Sequence, residues 1–168
     1  MSTGPASPER RRCLGVLALG ALSSGTLLSR AQAQGRALSE DLPSPDSLPQ
    51  ALADALARRE PLVLMASLAG CPFCHVVRSQ HLWPLLRAGG AVAQIDFRDG
   101  RSLRDWQGRT RTQAQVVAQL GVGVAPTLLF FGPGSREVAP RLEGASIPDF
   151  YGAYLDDRLA QARAAVRA

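Results

Sequence analysis

The feature that most restricts this chain is a short string, Cys71-Pro72-Phe73-Cys74, set between an apolar run and a helical segment. Leu62 to Leu68 (LVLMASL) has the length and composition of a strand buried on both faces. Ala69-Gly70 follows as a turn. Pro72 suits the first position of a helix, where its missing N–H costs nothing. The spacing therefore predicts a strand, a sharp turn and a helix with Cys71 as its N-cap. That helix should run to about Arg87, kink at Pro84 and close at Gly89-Gly90. A sulfur at an N-cap faces unpaired N–H groups and the positive end of the helix dipole, which favours a thiolate. Cys74 lies one turn further in, beside Cys71 and expected to be more buried. It can attack a mixed disulfide formed on Cys71. Cysteines this close in sequence enclose too small a loop to stiffen a fold, so a structural bridge explains them poorly.

The surrounding pattern alternates helix and strand. Leu48, Leu52 and Leu56 recur at four-residue spacing and predict a helix that Pro61 ends. Ala91 to Phe97 reads as a second strand. Arg98 to Arg111 is polar and contains Gly100 and Gly108, so residues around 98–111 are expected to form an insertion loop. Trp106 within it either meets a partner or folds back onto the sheet. Thr112 and Gln115 make a capping box before a short helix with Val116, Val117 and Leu120 buried and Gly121 as its C-cap. Val124 to Phe131 predicts a strand and Gly132 to Ser135 a turn. Arg136 to Leu142 predicts a weaker strand whose Pro140 marks a sheet edge. A last helix starts at Ser146, Pro148 and Asp149, with Ile147, Phe150, Tyr151, Tyr154, Leu155, Leu159 and Ala162 as its apolar face. The order implies an α/β protein, a βαβ unit followed by a ββα unit around a mixed sheet.

The N-terminus reads as an address. Arg10-Arg11-Arg12 precedes an apolar run from Cys13 to Leu28, and Ala31-Gln32-Ala33 matches a small-x-small cleavage site. Residues 1–33 are expected to be an export signal, 34–45 a flexible linker and 46–168 the folded domain. A membrane anchor is the rival reading, but the run is short for a spanning helix. The paired arginines also permit a twin-arginine signal beside the general secretory route. Export to the periplasm would leave Cys71 and Cys74 as the cysteines of an oxidising space. All 19 basic residues are arginine, which excludes a P-loop lysine or a Schiff-base lysine. Past the leader, 15 arginines face 13 acids, a balance that argues against a basic nucleic-acid surface.

The Cys-Pro-aromatic-Cys-His string, together with the distant Val124-Ala125-Pro126-Thr127, resembles the thioredoxin superfamily. The likeness is strongest to periplasmic thioredoxin-related proteins of bacterial sulfur-oxidation gene clusters. It runs from Leu62 to about Leu159 and includes the Asp96-to-Gly108 excursion, Leu120-Gly121-Val122, Arg141 and Gly144. The resemblance implies a thioredoxin-like three-layer fold. It implies a cis peptide at Pro126 lying against the cysteines, and backbone at Ala125 that pairs with a substrate peptide. It also implies dithiol–disulfide exchange with protein partners in the cell envelope, without a cofactor. Cys71 would attack and Cys74 resolve, with electrons supplied by a membrane thiol transporter. Phe73 would be exposed on the active surface as a partner contact, with Pro72 and His75 in support. A monomer is expected, since no added dimerisation segment is present. Oxidase and isomerase activity stay open beside reductase. The chain departs from the family where many thioredoxins carry an acid six positions before the first cysteine. Met65 stands there, so the sequence assigns no group to the Cys74 proton.

Other chemistries compete for the same residues. Cys71-x-x-Cys74-His75 also spells the c-type haem attachment string. A second axial ligand is hard to find, because no Met lies downstream and His81 follows only six residues after His75. Cys71, Cys74, His75 and His81 could make a Cys2His2 metal set, but zinc patterns space their halves much further apart. A third rival is a binding module in which the cysteine pair is incidental.

Overall fold

A computed structural model describes residues 42–145 and 148–168. The expected export signal, most of the linker, Ser146 and Ile147 lie outside the described residues. The elements follow in the order α1 (Leu48–Ala57), β1 (Leu62–Ser67), α2 (Pro72–Val77), a π-helical segment (Arg78–Leu82), α3 (Trp83–Arg87) and β2 (Ala91–Asp96). Then come β3 (Ser102–Arg104), β4 (Thr110–Thr112), α4 (Gln113–Gln119), β5 (Thr127–Gly132), β6 (Arg136–Glu143) and α5 (Pro148–Arg167).

Four strands form a mixed sheet in the order β2-β1-β5-β6. β1 runs parallel to β2, from Leu62 opposite Ala91 to Ser67 opposite Asp96. It runs antiparallel to β5, from Leu62 opposite Phe131 to Ala66 opposite Thr127. All six β1 residues are buried, as a continuous apolar run requires of a central strand. Strand alternation divides them between two cores. Leu62, Leu64 and Ala66 pack with Leu48, Leu52, Val116 and Val117 of α1 and α4. Val63 and Met65 pack with Cys74, Val77 and Leu82 on one side and Tyr151, Leu155 and Leu159 of α5 on the other. Helices thus cover both faces of the sheet, giving the thioredoxin-like three-layer α/β fold. At the edge, β6 pairs with β5 through a register shift that includes Pro140, so its missing N–H removes no ladder bond.

Local rules account for the element ends. Ser47 Oγ accepts the Gln50 N–H at 3.3 Å and starts α1. Thr112 and Gln115 make the reciprocal capping box of α4. Pro84 cannot donate to the carbonyl of Gln80, and the helix absorbs that loss by widening into the π segment just upstream rather than by a simple kink.

Four expectations need correction. Residues 98–111 do not form a loop: β3 and β4 pair as a small antiparallel hairpin, from Ser102 opposite Thr112 to Arg104 opposite Thr110. Leu103 enters the core, and Trp106 packs on Phe131 with ring centroids 4.6 Å apart. Asp105, 1% exposed, ties the hairpin tip by accepting N–H groups of Gln107 and Arg109 and the Arg109 guanidinium at 2.8–3.0 Å. Burial pushes its carboxyl up, but these donors outweigh that and hold it below the usual carboxylate value. Secondly, the end of the expected linker is docked. Leu42 is buried, Pro43 O accepts the Gln94 N–H at 2.8 Å, and Ser44 Oγ accepts from Gln113 Nε2 at 2.9 Å. Thirdly, β5 starts only at Thr127, after the proline, instead of at Val124. Fourthly, Phe150 and Tyr154 are exposed on α5, whose buried stripe is the narrower Tyr151, Leu155, Leu159 and Ala162.

If the hairpin is part of the core, Trp106→Ala will lower unfolding stability by about 2–4 kcal/mol, somewhat under the roughly 3–5 kcal/mol for a fully buried aromatic because the indole is half-buried. Urea unfolding followed by circular dichroism measures this; a change within experimental error would mean the segment is a loose loop after all.

Candidate active site

Both cysteines owe their place to the end of β1. The chain turns at Gly70, whose φ of +75° is a left-handed conformation that a residue with a Cβ resists. The turn is closed by the Cys71 N–H bonding to the Leu68 carbonyl at 3.1 Å. Cys71 then caps α2 in an extended conformation, with Pro72 at the first helical position. Its Sγ accepts the N–H of Cys74 at 3.1 Å, and its carbonyl accepts the N–H of His75 at 3.1 Å.

The two sulfurs have different surroundings. Both are free thiols; Cys71 is half-buried and Cys74 fully buried. Burial, a hydrogen bond with Cys71 and the nearby Cys71 charge push the Cys74 thiol up to about 11; bonds to the Leu68 backbone and the Ser67 side chain oppose this. At neutral pH Cys74 therefore keeps its proton. Met65, six positions before Cys71, is fully buried and offers no titratable group.

The remaining predicted residues surround this pair. Ala125-Pro126 is a cis peptide, as the resemblance implied. Extending the β1–β5 register by one step beyond Ala66–Thr127 sets Pro126 opposite Ser67, just before the turn that carries Cys71. Thr127 Oγ1 donates to the Val124 carbonyl at 2.8 Å, and the Gly144 N–H bonds to the Pro126 carbonyl at 2.8 Å. The loop is thereby held from both sides. Ala125 is half-buried and Pro126 buried. Phe73, 55% exposed, and Val124, 43% exposed, form apolar surface on α2 and on the segment before the cis peptide. Pro72 and His75 are exposed on α2. His81 packs its ring on Tyr151 at 5.1 Å, and burial lowers its pKa against the opposing charge of Asp156. Among the described residues no three His, Cys, Asp or Glu side chains gather in a way that would hold a metal ion. No helix among them is long and apolar enough to cross a membrane.

Sequence reasoning missed three polar groups near Cys74. Ser67 is 1% exposed, and its Oγ accepts a hydrogen bond from Arg78 Nη1 at 3.0 Å. Arg78 Nη1 also donates to Gln94 Oε1 at 2.9 Å. From α5, Tyr151 is buried in the same cluster as Cys74, and burial, with the charge of Cys74, raises its phenol. The only signals in the sequence were the four-residue step from Cys74 to Arg78 and the two-residue step from Met65 to Ser67.

No known family model matches the chain, and no curated protein matches it. Solved structures do resemble it. Thioredoxin O2 from Arabidopsis thaliana, in its oxidised state, is 18% identical over 69% of this chain and 93% of its own, with a TM-score of 0.47. The periplasmic thioredoxin SoxS from Paracoccus pantotrophus, in its reduced form, is 24% identical over 61% of this chain and 99% of its own, with a TM-score of 0.41. A thioredoxin from Thermus thermophilus is 23% identical over 71% of this chain and 85% of its own, with a TM-score of 0.47.

The asymmetry of the sulfurs is directly measurable. Brief iodoacetamide treatment of the reduced protein at neutral pH will label Cys71 and spare Cys74, as read by peptide mass spectrometry. In a Cys71→Ser variant, labelling of Cys74 will rise about tenfold per pH unit, because its thiolate fraction grows tenfold per unit below its pKa. Equal labelling of both thiols at neutral pH would contradict the burial of Cys74.

Proposed function

We propose that this chain is an exported thiol–disulfide oxidoreductase that reduces disulfides of protein partners in the cell envelope. The observation that carries the proposal is the unequal pair: an accessible Cys71 at a helix start, and a buried, protonated Cys74 whose N–H points at the Cys71 sulfur. Exchange needs that inequality. One sulfur must reach the partner, and the other must stay in reserve until a mixed disulfide exists.

In the first step Cys71 gives its proton to solvent, and its Sγ bonds to one sulfur of the partner's disulfide. The partner's S–S bond breaks, and its second sulfur leaves with the electron pair and takes a proton from solvent. In the second step Cys74 loses its proton, and its sulfur bonds to Cys71 Sγ. The Cys71–partner bond breaks, and the partner's remaining sulfur leaves as a thiolate. The partner gains two electrons and Cys71–Cys74 becomes the disulfide. A membrane thiol-electron transporter would return the electrons, so the cycle needs no bound cofactor. Extended backbone at Ala125 would pair with the partner peptide beside Pro126, and the exposed Phe73 ring would pack on it. Pro72 supports the turn and His75 the exposed rim. The protein would act as a monomer and take no nucleic acid. It would work in the periplasm after removal of residues 1–33, by either export route.

The packing of Cys74 also weighs against the haem reading, since Val63, Met65 and Val77 already close around it where a porphyrin edge would have to lie. The reading as an incidental cysteine pair in a binding module is separated by substitution. Cys71→Ser will abolish reduction of a disulfide-bonded protein substrate. Cys74→Ser will instead accumulate a covalent, dithiothreitol-sensitive complex with it on a non-reducing gel. Retained reduction by Cys71→Ser would remove the enzymatic reading. A reduction potential near −270 mV against glutathione is the value for a reductant, whereas one near −120 mV would reverse the direction.

A further inference from the structure

The second step needs a thiolate at Cys74, in a pocket that disfavours one, and Met65 places no acid beside it to take the proton. The pocket is nevertheless not wholly apolar. Ser67 ends β1 on the same strand face as Val63 and Met65, the face against which Cys74 and Val77 pack. Arg78 follows Cys74 by four residues and so lies one turn along the same helix face. Its Nη1 reaches back to Ser67 Oγ at 3.0 Å, and Gln94 Oε1 from β2 holds the same nitrogen at 2.9 Å. A hydroxyl oxygen that accepts from a guanidinium has its own proton left to donate. Cys74 is the neighbour that gains, since the Ser67 side chain is one of the two hydrogen-bonding partners that favour its charged form.

We infer that Ser67 donates a hydrogen bond to the Cys74 thiolate as it forms, and that Arg78 is the positioning residue that turns the Ser67 hydroxyl toward the sulfur. The inference rests on the exchange reading above and supplies what that reading lacks. No side-chain base is needed: the Cys74 proton passes to water, and the Ser67–Arg78 pair stabilises the anion left behind. Arg78 and Gln94 line a polar cleft of about 460 Å³ that also includes Gly70, so the Arg78 side of this pair is open to solvent next to the catalytic turn. Cys71 lies on its own helix and is consumed in the mixed disulfide at this stage. Tyr151, from α5, is held neutral by burial, and His81 lies behind it with its pKa lowered. Gln94, from β2, carries no charge; Asp96, two residues on and opposite Ser67, is the carboxylate of that strand, its Oδ1 accepts the Arg98 N–H at 2.8 Å, and it lines the cleft together with Arg98, Asp99 and Arg101.

Dithiobis(nitrobenzoate) separates the two steps. The first thionitrobenzoate released reports attack by Cys71, and the second reports its displacement from Cys71 by Cys74. Ser67→Ala and Arg78→Met will each leave the first phase unchanged and slow the second about threefold between about pH 6 and 9. Losing a hydrogen bond to a charged sulfur lowers the thiolate fraction by about tenfold, and the greater nucleophilicity of the more basic thiolate returns about half of the logarithm. Ser67→Thr, which keeps the hydroxyl, will restore the second phase. The double variant will be no slower than either single one, because both act through one hydroxyl. Arg78→Met, at a half-buried surface position, keeps the test open should the β1 variant fold poorly. A second phase at the wild-type rate in both single variants, or both phases slowed alike, overturns the inference. A wild-type protein that releases no second equivalent overturns the exchange reading itself, a different result from the first two.

Discussion

The double burial of β1 is the constraint from which the rest follows. A strand enclosed on both faces and paired on both edges cannot slip, because a one-residue shift would exchange its two side-chain sets between the cores. Ser67 therefore ends the strand at a fixed point, Gly70 turns the chain there, and Cys71 arrives at the head of α2 with little freedom. The antiparallel neighbour brings Pro126 to the same end of the sheet. Residues almost sixty positions apart thus share a surface because of backbone pairing, before any side chain chooses a partner.

Much of this was legible in the sequence because local rules carried it. An apolar run of strand length, a proline at a helix start and a threonine–glutamine pair at capping distance each have one dominant structural meaning, and each took it. The hairpin over 102–112 was not legible. Its strands are three residues each, mostly polar, and its anchors are one leucine, a buried carboxylate and one indole, against a background rich in arginine. A charged residue in the interior runs against every hydrophobic pattern. Here its donors lie within four positions, so the burial of Asp105 was encoded, but in hydrogen-bonding capacity rather than in hydropathy. Phe150 and Tyr154 fit the apolar period of α5, yet face solvent, because periodicity marks a helix face without saying how wide a strip the sheet covers.

The site shows the same division. Cys71 and Cys74 were visible because their spacing is a recognisable string, and Pro126 only through the family resemblance that the distant Pro126-Thr127 helps carry. The polar pair beside Cys74 was not, since Ser67 and Arg78 stand eleven positions apart and meet only when α2 folds back over the end of β1. The unequal burial of the two sulfurs was anticipated from their one-turn separation. Its electrostatic size follows from the depth of the core around Val63, Met65 and Val77, which no linear pattern contains.

The π segment from Arg78 to Leu82 also divides the helix that carries the site. Widening by one residue rotates everything beyond it by about 100° relative to an unbroken α-helix. The stretch from Pro72 to Arg78 thus keeps its own angular setting, governed by the cysteines and Ser67, while Trp83 to Arg87 is set by its own packing. The two halves can drift independently in evolution: insertions or repacking beyond Leu82 need not re-aim the sulfurs, and changes at the catalytic end need not disturb how the distal half seats on β2.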